Sequence, residues 1–166
     1  MKIFVFVRGV DSPFKRQVVS ALISTFNPDI NNVNAIKIAM ADYLSAQEHS
    51  NEAPDFKAAS KSCKRLVKTL LSGSHNERYI IIDNESLNPQ DWESYIQLAV
   101  KMGTQMQAIG IDVSNEKFND GLDSNKLNLQ NKNLNTFILS CYKYYKINCS
   151  DDITKVSEQL TINFNI

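Results

Sequence analysis

Residues Ile3-Phe4-Val5-Phe6-Val7 form an unbroken apolar run of β-forming side chains, and a polar turn follows at once. A strand with one wet face alternates apolar and polar residues. A strand with none belongs to a sheet covered on both sides, as parallel sheets are. Tyr79-Ile80-Ile81-Ile82, ending at Asp83-Asn84, repeats the pattern. Two such runs read as strands buried on both faces, as in a parallel sheet, and not as half-exposed hairpin strands.

The rest of the chain supplies helices to cover such faces. After Asp11-Ser12-Pro13, residues Val18, Val19, Leu22, Ile23 and Phe26 recur at helical spacing until Asn27-Pro28. Residues 35–40 read as a short strand and residues 45–55, polar and containing Pro54, as a loop. Phe56, Ala59, Cys63, Leu66, Val67, Leu70 and Leu71 mark a helix closed by Ser72-Gly73-Ser74. Pro89 suits a first helical turn, and Trp92, Tyr95, Ile96, Ala99 and Val100 carry that helix to Gly103. Met106 to Ile111 is a further strand. Residues 114–133 read as a mobile Asn-rich excursion, about Leu134 to Tyr145 as a helix, about Asp151 to Gln159 as another, and Leu160–Ile166 as a last strand. The expected fold class is α/β, three layers with a mostly parallel central sheet flanked by helices.

The length of 166 residues suits a single domain, 1–166, and 18 basic against 18 acidic side chains remove a global electrostatic reason to bind nucleic acid or anionic membrane. No apolar run reaches the roughly 18 residues of a membrane span. Three widely spaced cysteines, Cys63, Cys141 and Cys149, point to reduced thiols and an intracellular protein of the cytoplasm or nucleus.

The turn after the first strand is where such folds hold anions, because backbone N–H groups at a helix start point at the ligand. It reads Gly9-Val10-Asp11-Ser12-Pro13-Phe14-Lys15-Arg16. A phosphate loop follows G-x-x-x-x-G-K-[ST]: glycines wrap the phosphates, the lysine reaches the outer ones, the hydroxyl binds Mg²⁺. Gly9 and Lys15 match. Phe14 replaces the second glycine, Arg16 the metal-binding hydroxyl, Pro13 donates no N–H, and Asp11 repels phosphate.

Val7-Arg8-Gly9 with Lys15, Ala41-Asp42-Tyr43, Ile81-Ile82-Asp83-Asn84, the spacing of Trp92, Tyr95, Ala99 and Gly103, and Asn131-Lys132-Asn133-Leu134 together resemble small P-loop kinases of the polynucleotide-kinase type, like those in relatives of Nedd-four-binding protein two. The resemblance spans about residues 3–145. It implies a glycine-rich phosphate loop, an acidic pair with a catalytic carboxylate, and a lid bearing arginine. At those positions stand Asp11-Ser12-Pro13-Phe14, Ala41 before a lone Asp42, and Gln130 and Asn133. Phosphoryl transfer is almost entirely positioning and electrostatic stabilisation. Loss of a general base alone costs about 10²–10⁴ in rate. The expectation is a catalytically inactive kinase-like fold with no ATP, Mg²⁺ or other metal.

Individually, Gly9, Lys15, Arg16 and Asp83 are the remnants of a nucleotide site. Lys15 reads as a solvated helix-start lysine, with anion binding helped by Arg16 and Arg8 as the alternative, Asp83 as a cap of the following turn or a local pair, and Asp42 as a surface or capping residue. His49 and His75 lack metal-ligand spacing. Phe14 is read as an exposed apolar anchor, and Lys61, Lys64, Arg65 and Lys68 as a cationic stripe, either solvated or facing an acidic protein partner. Tyr142-Lys143-Tyr144-Tyr145-Lys146 mixes rings with cations. The leading functional expectation is a protein–protein interaction or scaffold module. Alternatives are a weak ATP-dependent polynucleotide or small-molecule kinase, and a nucleic-acid-binding relic.

Overall fold

The computed structural model describes residues 1–73, 75–114 and 123–166. Five parallel strands, β1 (Lys2–Arg8), β2 (Ala35–Ile38), β3 (Tyr79–Ile82), β4 (Met106–Val113) and β5 (Lys143–Ile147), form one sheet in the order β2-β3-β1-β4-β5. Every neighbouring pair is parallel, and Ile3 stands opposite both Tyr79 and Gln107. The doubly apolar run of residues 3–7 thus lies in the central strand, where neighbours on both edges and helices on both faces exclude water.

Alternate side chains of that run feed two cores. Ile3, Val5 and Val7 join Ile81, Ile109 and Ile111 beneath α1 (Pro13–Phe26) and α7 (Ser150–Phe164). Phe4 and Phe6 join Ile80, Ile82, Trp92 and Phe137 beneath α3 (Phe56–Leu71), α4 (Pro89–Lys101) and α6 (Leu134–Ser140). Local signals set the helix starts. Ser12 Oγ accepts from Lys15 N ahead of Pro13, Asp55 caps α3 through Ala58 N, and Asp91 accepts from Asn88 N in a capping box before Pro89.

Four expectations change. The polar loop at 45–55 is in part α2 (Met40–His49), which buries no residue and so lacks an apolar stripe to read, although Met, Ala, Leu, Gln and Glu are good helix formers. It rests against α3, and Gln47 brackets the Asp55 backbone with hydrogen bonds of 2.8 and 3.2 Å. The helix placed over 134–145 stops at Ser140, and Lys143–Ile147 become β5, paired with β4, with the adjacent Tyr144 and Tyr145 packing against opposite faces of the sheet. The last strand is instead the end of α7, because Val156, Leu160 and Phe164 at helical spacing reach the core and outweigh the β propensity of Thr161 and Ile162. Within the excursion at 114–133, Ser124–Lys132 form α5, while residues 115–122 lie outside the described residues. Among the described residues no helix is long and apolar enough to cross a membrane.

Candidate functional site

A cleft of about 740 Å³ opens along the C-terminal edge of the sheet, between the turn after β1, the loop after β3, and helices α2 to α5. Parallel strands place their carboxyl ends, and the loops that follow them, on one edge, so polar residues collect there without disturbing the core. Carboxylates Asp11, Asp83, Glu85 and Asp91 and cations Lys15, Lys64 and Lys126 line it, with Met40, Leu44 and Phe56 as its apolar wall.

Lys15 is 3 % exposed, against the expectation of a solvated side chain. Its position near the start of α1 turns it under the β3 loop, where Nζ donates to Asn84 O at 2.8 Å and stands 3.6 Å from Asp83 Oδ1. Burial lowers its pKa, a shift partly opposed by the charges of Asp83, Glu85 and Asp11. Asp83 therefore pairs across the fold instead of capping its own turn. The Lys15 backbone N–H is taken by Ser12 Oγ, and Pro13 has none to donate. Arg16 lies at the surface, 3.8 Å from Asp11.

Phe14 is 3 % exposed and belongs to the core under α1 and α7, so the exposed anchor expected there is absent. A helix-facing position two residues past the cap points inward, and an aromatic ring follows the hydrophobic gain of burial. The exposed ring in the cleft is Phe56, 63 % accessible at the start of α3. Sequence reasoning assigned Phe56 to the apolar stripe because its spacing matches that stripe.

Gly9 has a packing reason for its identity. Its φ is +147°, and a Cβ there would stand 2.4 Å from Val113 O. Its N–H donates to Glu85 O at 2.9 Å, which draws the β3 loop over the turn. Next in that loop, Ser86 holds φ +53° and is buried, and its Oγ has no hydrogen-bond partner among the described residues. Lys126 of α5 reaches the same loop, 2.8 Å from Glu85 Oε1.

Arg8 is the residue that sequence reasoning most underestimated. Fully buried at the end of β1, its Nη1 lies 3.1 Å from Asp112 Oδ1, and Nη2 donates to Gln130 O at 2.6 Å and Leu129 O at 3.2 Å. The guanidinium also lies over the Phe137 ring, with 5.6 Å to the centroid. Tyr144 OH donates to Asp112 Oδ2 at 3.2 Å. The residues at the lid positions face the scaffold: Gln130 Nε2 donates to Val113 O at 3.1 Å, and Asn133 Nδ2 to Leu87 O at 3.0 Å. Arg8 and Asp112 share a register on adjacent strands, a pairing that local sequence does not encode.

Of the remaining candidates, Asp42 lies at the surface beside Lys37, at 3.4 Å. Lys61, Arg65 and Lys68 are exposed and Lys64 half-buried on α3, outside the phosphate-loop turn. In the 142–146 stretch, Tyr142 is exposed, whereas Tyr144 bonds Asp112 and Tyr145 OH accepts from Asn163. Among the described residues no three His, Cys, Asp or Glu side chains gather as a metal site.

No family model matches the chain, and no curated protein matches it. Solved structures do. A de novo designed protein of P-loop NTPase fold, 13% identical, covers 99% of this chain and 93% of its own at a TM-score of 0.50. The APS kinase CysC of Mycobacterium tuberculosis, solved in complex with AMPPNP and APS, is 8% identical and aligns over 99% of this chain and 98% of its own at a TM-score of 0.52. The chain has the P-loop NTPase fold, in a form resembling P-loop kinases.

Proposed function

We propose that this chain is a non-catalytic P-loop kinase-like domain, of the polynucleotide-kinase type, that acts inside the cell as a protein-interaction module. The observation that carries the reading is the engagement of Lys15. Its side chain is 4% exposed and already engages the Asn84 carbonyl and Asp83, so a phosphate would have to compete with both contacts.

The neighbouring groups do not fit ATP and Mg²⁺ either. Arg16 occupies the metal hydroxyl position, Pro13 and the Ser12 cap remove helix-start donors, and Asp11 adds a repelling charge at the mouth. Arg8 commits Nη1 to Asp112 and Nη2 to the α5 carbonyls, and Gln130 commits Nε2 to Val113 O. Each would lose a buried partner on turning toward a phosphate, at a cost of about 1–3 kcal/mol per unsatisfied group. What persists is a two-core scaffold with a cleft whose wall includes Met40, Leu44 and Phe56, a form suited to docking. The free thiols Cys63, Cys141 and Cys149 accord with a reducing compartment.

Thermal unfolding with millimolar ATP and Mg²⁺ tests the reading. A ligand at about 100 times its Kd stabilises the folded state by about 2.7 kcal/mol, which a melting curve resolves as several degrees. The expected outcome is no shift. A saturable shift that Lys15→Met abolishes overturns the proposal.

A further inference from the structure

Some cations of the fold have carboxylate partners: Arg8 takes Asp112, Lys15 Asp83, Lys37 Asp42 and Lys126 Glu85. Others have none among the described residues, and four of these, Lys64, Arg65 and Lys68 of α3 and Lys101 of α4, stand together. They line one groove of about 520 Å³ between the two helices, and its remaining walls are neutral. None of the four forms an ion pair among the described residues; Lys64 Nζ only stands 6.0 Å from the centroid of the Tyr95 ring.

Within α3, Lys61 and Arg65, and Lys64 and Lys68, are like charges four residues apart, a spacing that disfavours the helix they sit on. The free chain carries that repulsion, and an anion lying in the groove relieves it. The groove also runs into the cleft at the sheet edge, because Lys64 and Ser94 border both. Past that junction stand the exposed Phe56 ring and Leu44. The cleft beyond the junction carries carboxylates of its own, Asp91 among them, so the row of cations is complementary to an extended chain whose carboxylates end at the groove and are followed by an apolar side chain.

We infer that the α3/α4 groove docks an aspartate- or glutamate-rich segment of a partner protein, with an apolar residue of that segment seated against Phe56. This rests on the reading of the chain as an interaction module and names the chemistry of its partner. The charge balance favours a polypeptide over a nucleic-acid strand. The chain as a whole carries no net positive charge, which removes the long-range attraction that nucleic acids exploit.

Fluorescence anisotropy of the full chain provides the test, with three labelled probes: a glutamate-rich peptide ending in leucine, its glutamine counterpart, and oligo(dT). The glutamate peptide is expected to bind tightest, with affinity falling as salt rises. Lys64→Glu with Lys68→Glu should weaken it about tenfold, since each reversal removes an attraction and adds a repulsion. Lys101→Glu, on the other helix, should weaken it in the same direction, and Lys155→Glu on α7 should leave it unchanged. Equal binding of the glutamine peptide, tighter binding of oligo(dT), indifference to both groove variants, or no binding overturns the assignment. ATP and Mg²⁺ melts on the same preparation separate the two claims. A saturable shift that Lys15→Met abolishes overturns the non-catalytic reading, whereas loss of peptide binding without one overturns the acidic-segment assignment alone.

Discussion

Arg8 and Lys15 are both buried cations, yet their surroundings give them different weights. The Arg8 guanidinium faces Asp112, which is itself buried, so removing the arginine strands a carboxylate and frees the α5 carbonyls. Breaking one side of such a pair costs about 3–5 kcal/mol, whereas replacing both sides with apolar residues is often neutral. Arg8→Met should therefore lose about that much in urea unfolding, and Arg8→Met with Asp112→Leu should recover most of it. A double variant no more stable than the single would show that the pair is not the source. Lys15 instead faces Asp83, which keeps solvent contact, so Lys15→Met leaves no stranded charge. Its effect appears with pH. Because burial lowers the folded-state pKa below the unfolded 10.5, the unfolded chain binds the proton more tightly between the two values. Wild-type stability should then rise, relative to Lys15→Met, as pH climbs through the folded pKa toward the unfolded one. Urea midpoints of both proteins across the alkaline range measure this; a constant difference would contradict it.

Among the elements, β4 and α6 meet through a missing side chain. A Cβ on Gly110 would lie 2.6 Å from Cys141 Sγ and 2.9 Å from Phe137 Cε1, so the helix sits as close as it does only because the strand has a glycine there. Phe137 in turn packs edge-on against Trp92, with ring centroids 5.1 Å apart, and lies under Arg8. Gly110→Ala should displace α6 and cost about 1–3 kcal/mol through overpacking. The same closeness half-buries Cys141, whose thiol pKa is pushed up to about 12 by that burial, so the native protein should react slowly with a thiol reagent. In Gly110→Ala that thiol should react faster at neutral pH, and unchanged labelling with unchanged stability would show that the contact yields freely. Elements with an uninterrupted apolar signature, β1 and β3, were legible in sequence to within a residue or two. Those whose identity depends on a neighbour were not. α2 is too polar to show a stripe, and β5 is a strand because β4 offers it an edge.

At the scale of the molecule, both faces of the sheet must be covered once Ile3–Val7 are doubly apolar, and from that requirement the three layers follow. The same local reading exposed the departures in the phosphate-loop turn, since proline, phenylalanine and arginine have chemical limits wherever they sit. Direction was another matter. Phe14 turned inward and Phe56 outward although both are apolar residues at helix starts, because the packing of α1 and α3 against different partners sets which way each faces. Arg8 and Asp112, 104 residues apart, became one buried pair through strand register, and Lys101 joined the α3 cations only when α4 lay beside them. Composition and periodicity act along the chain and determine which segments seek burial. Which charges meet, and which are left facing a groove, depends on distances between segments remote in sequence, and only the folded arrangement supplies those.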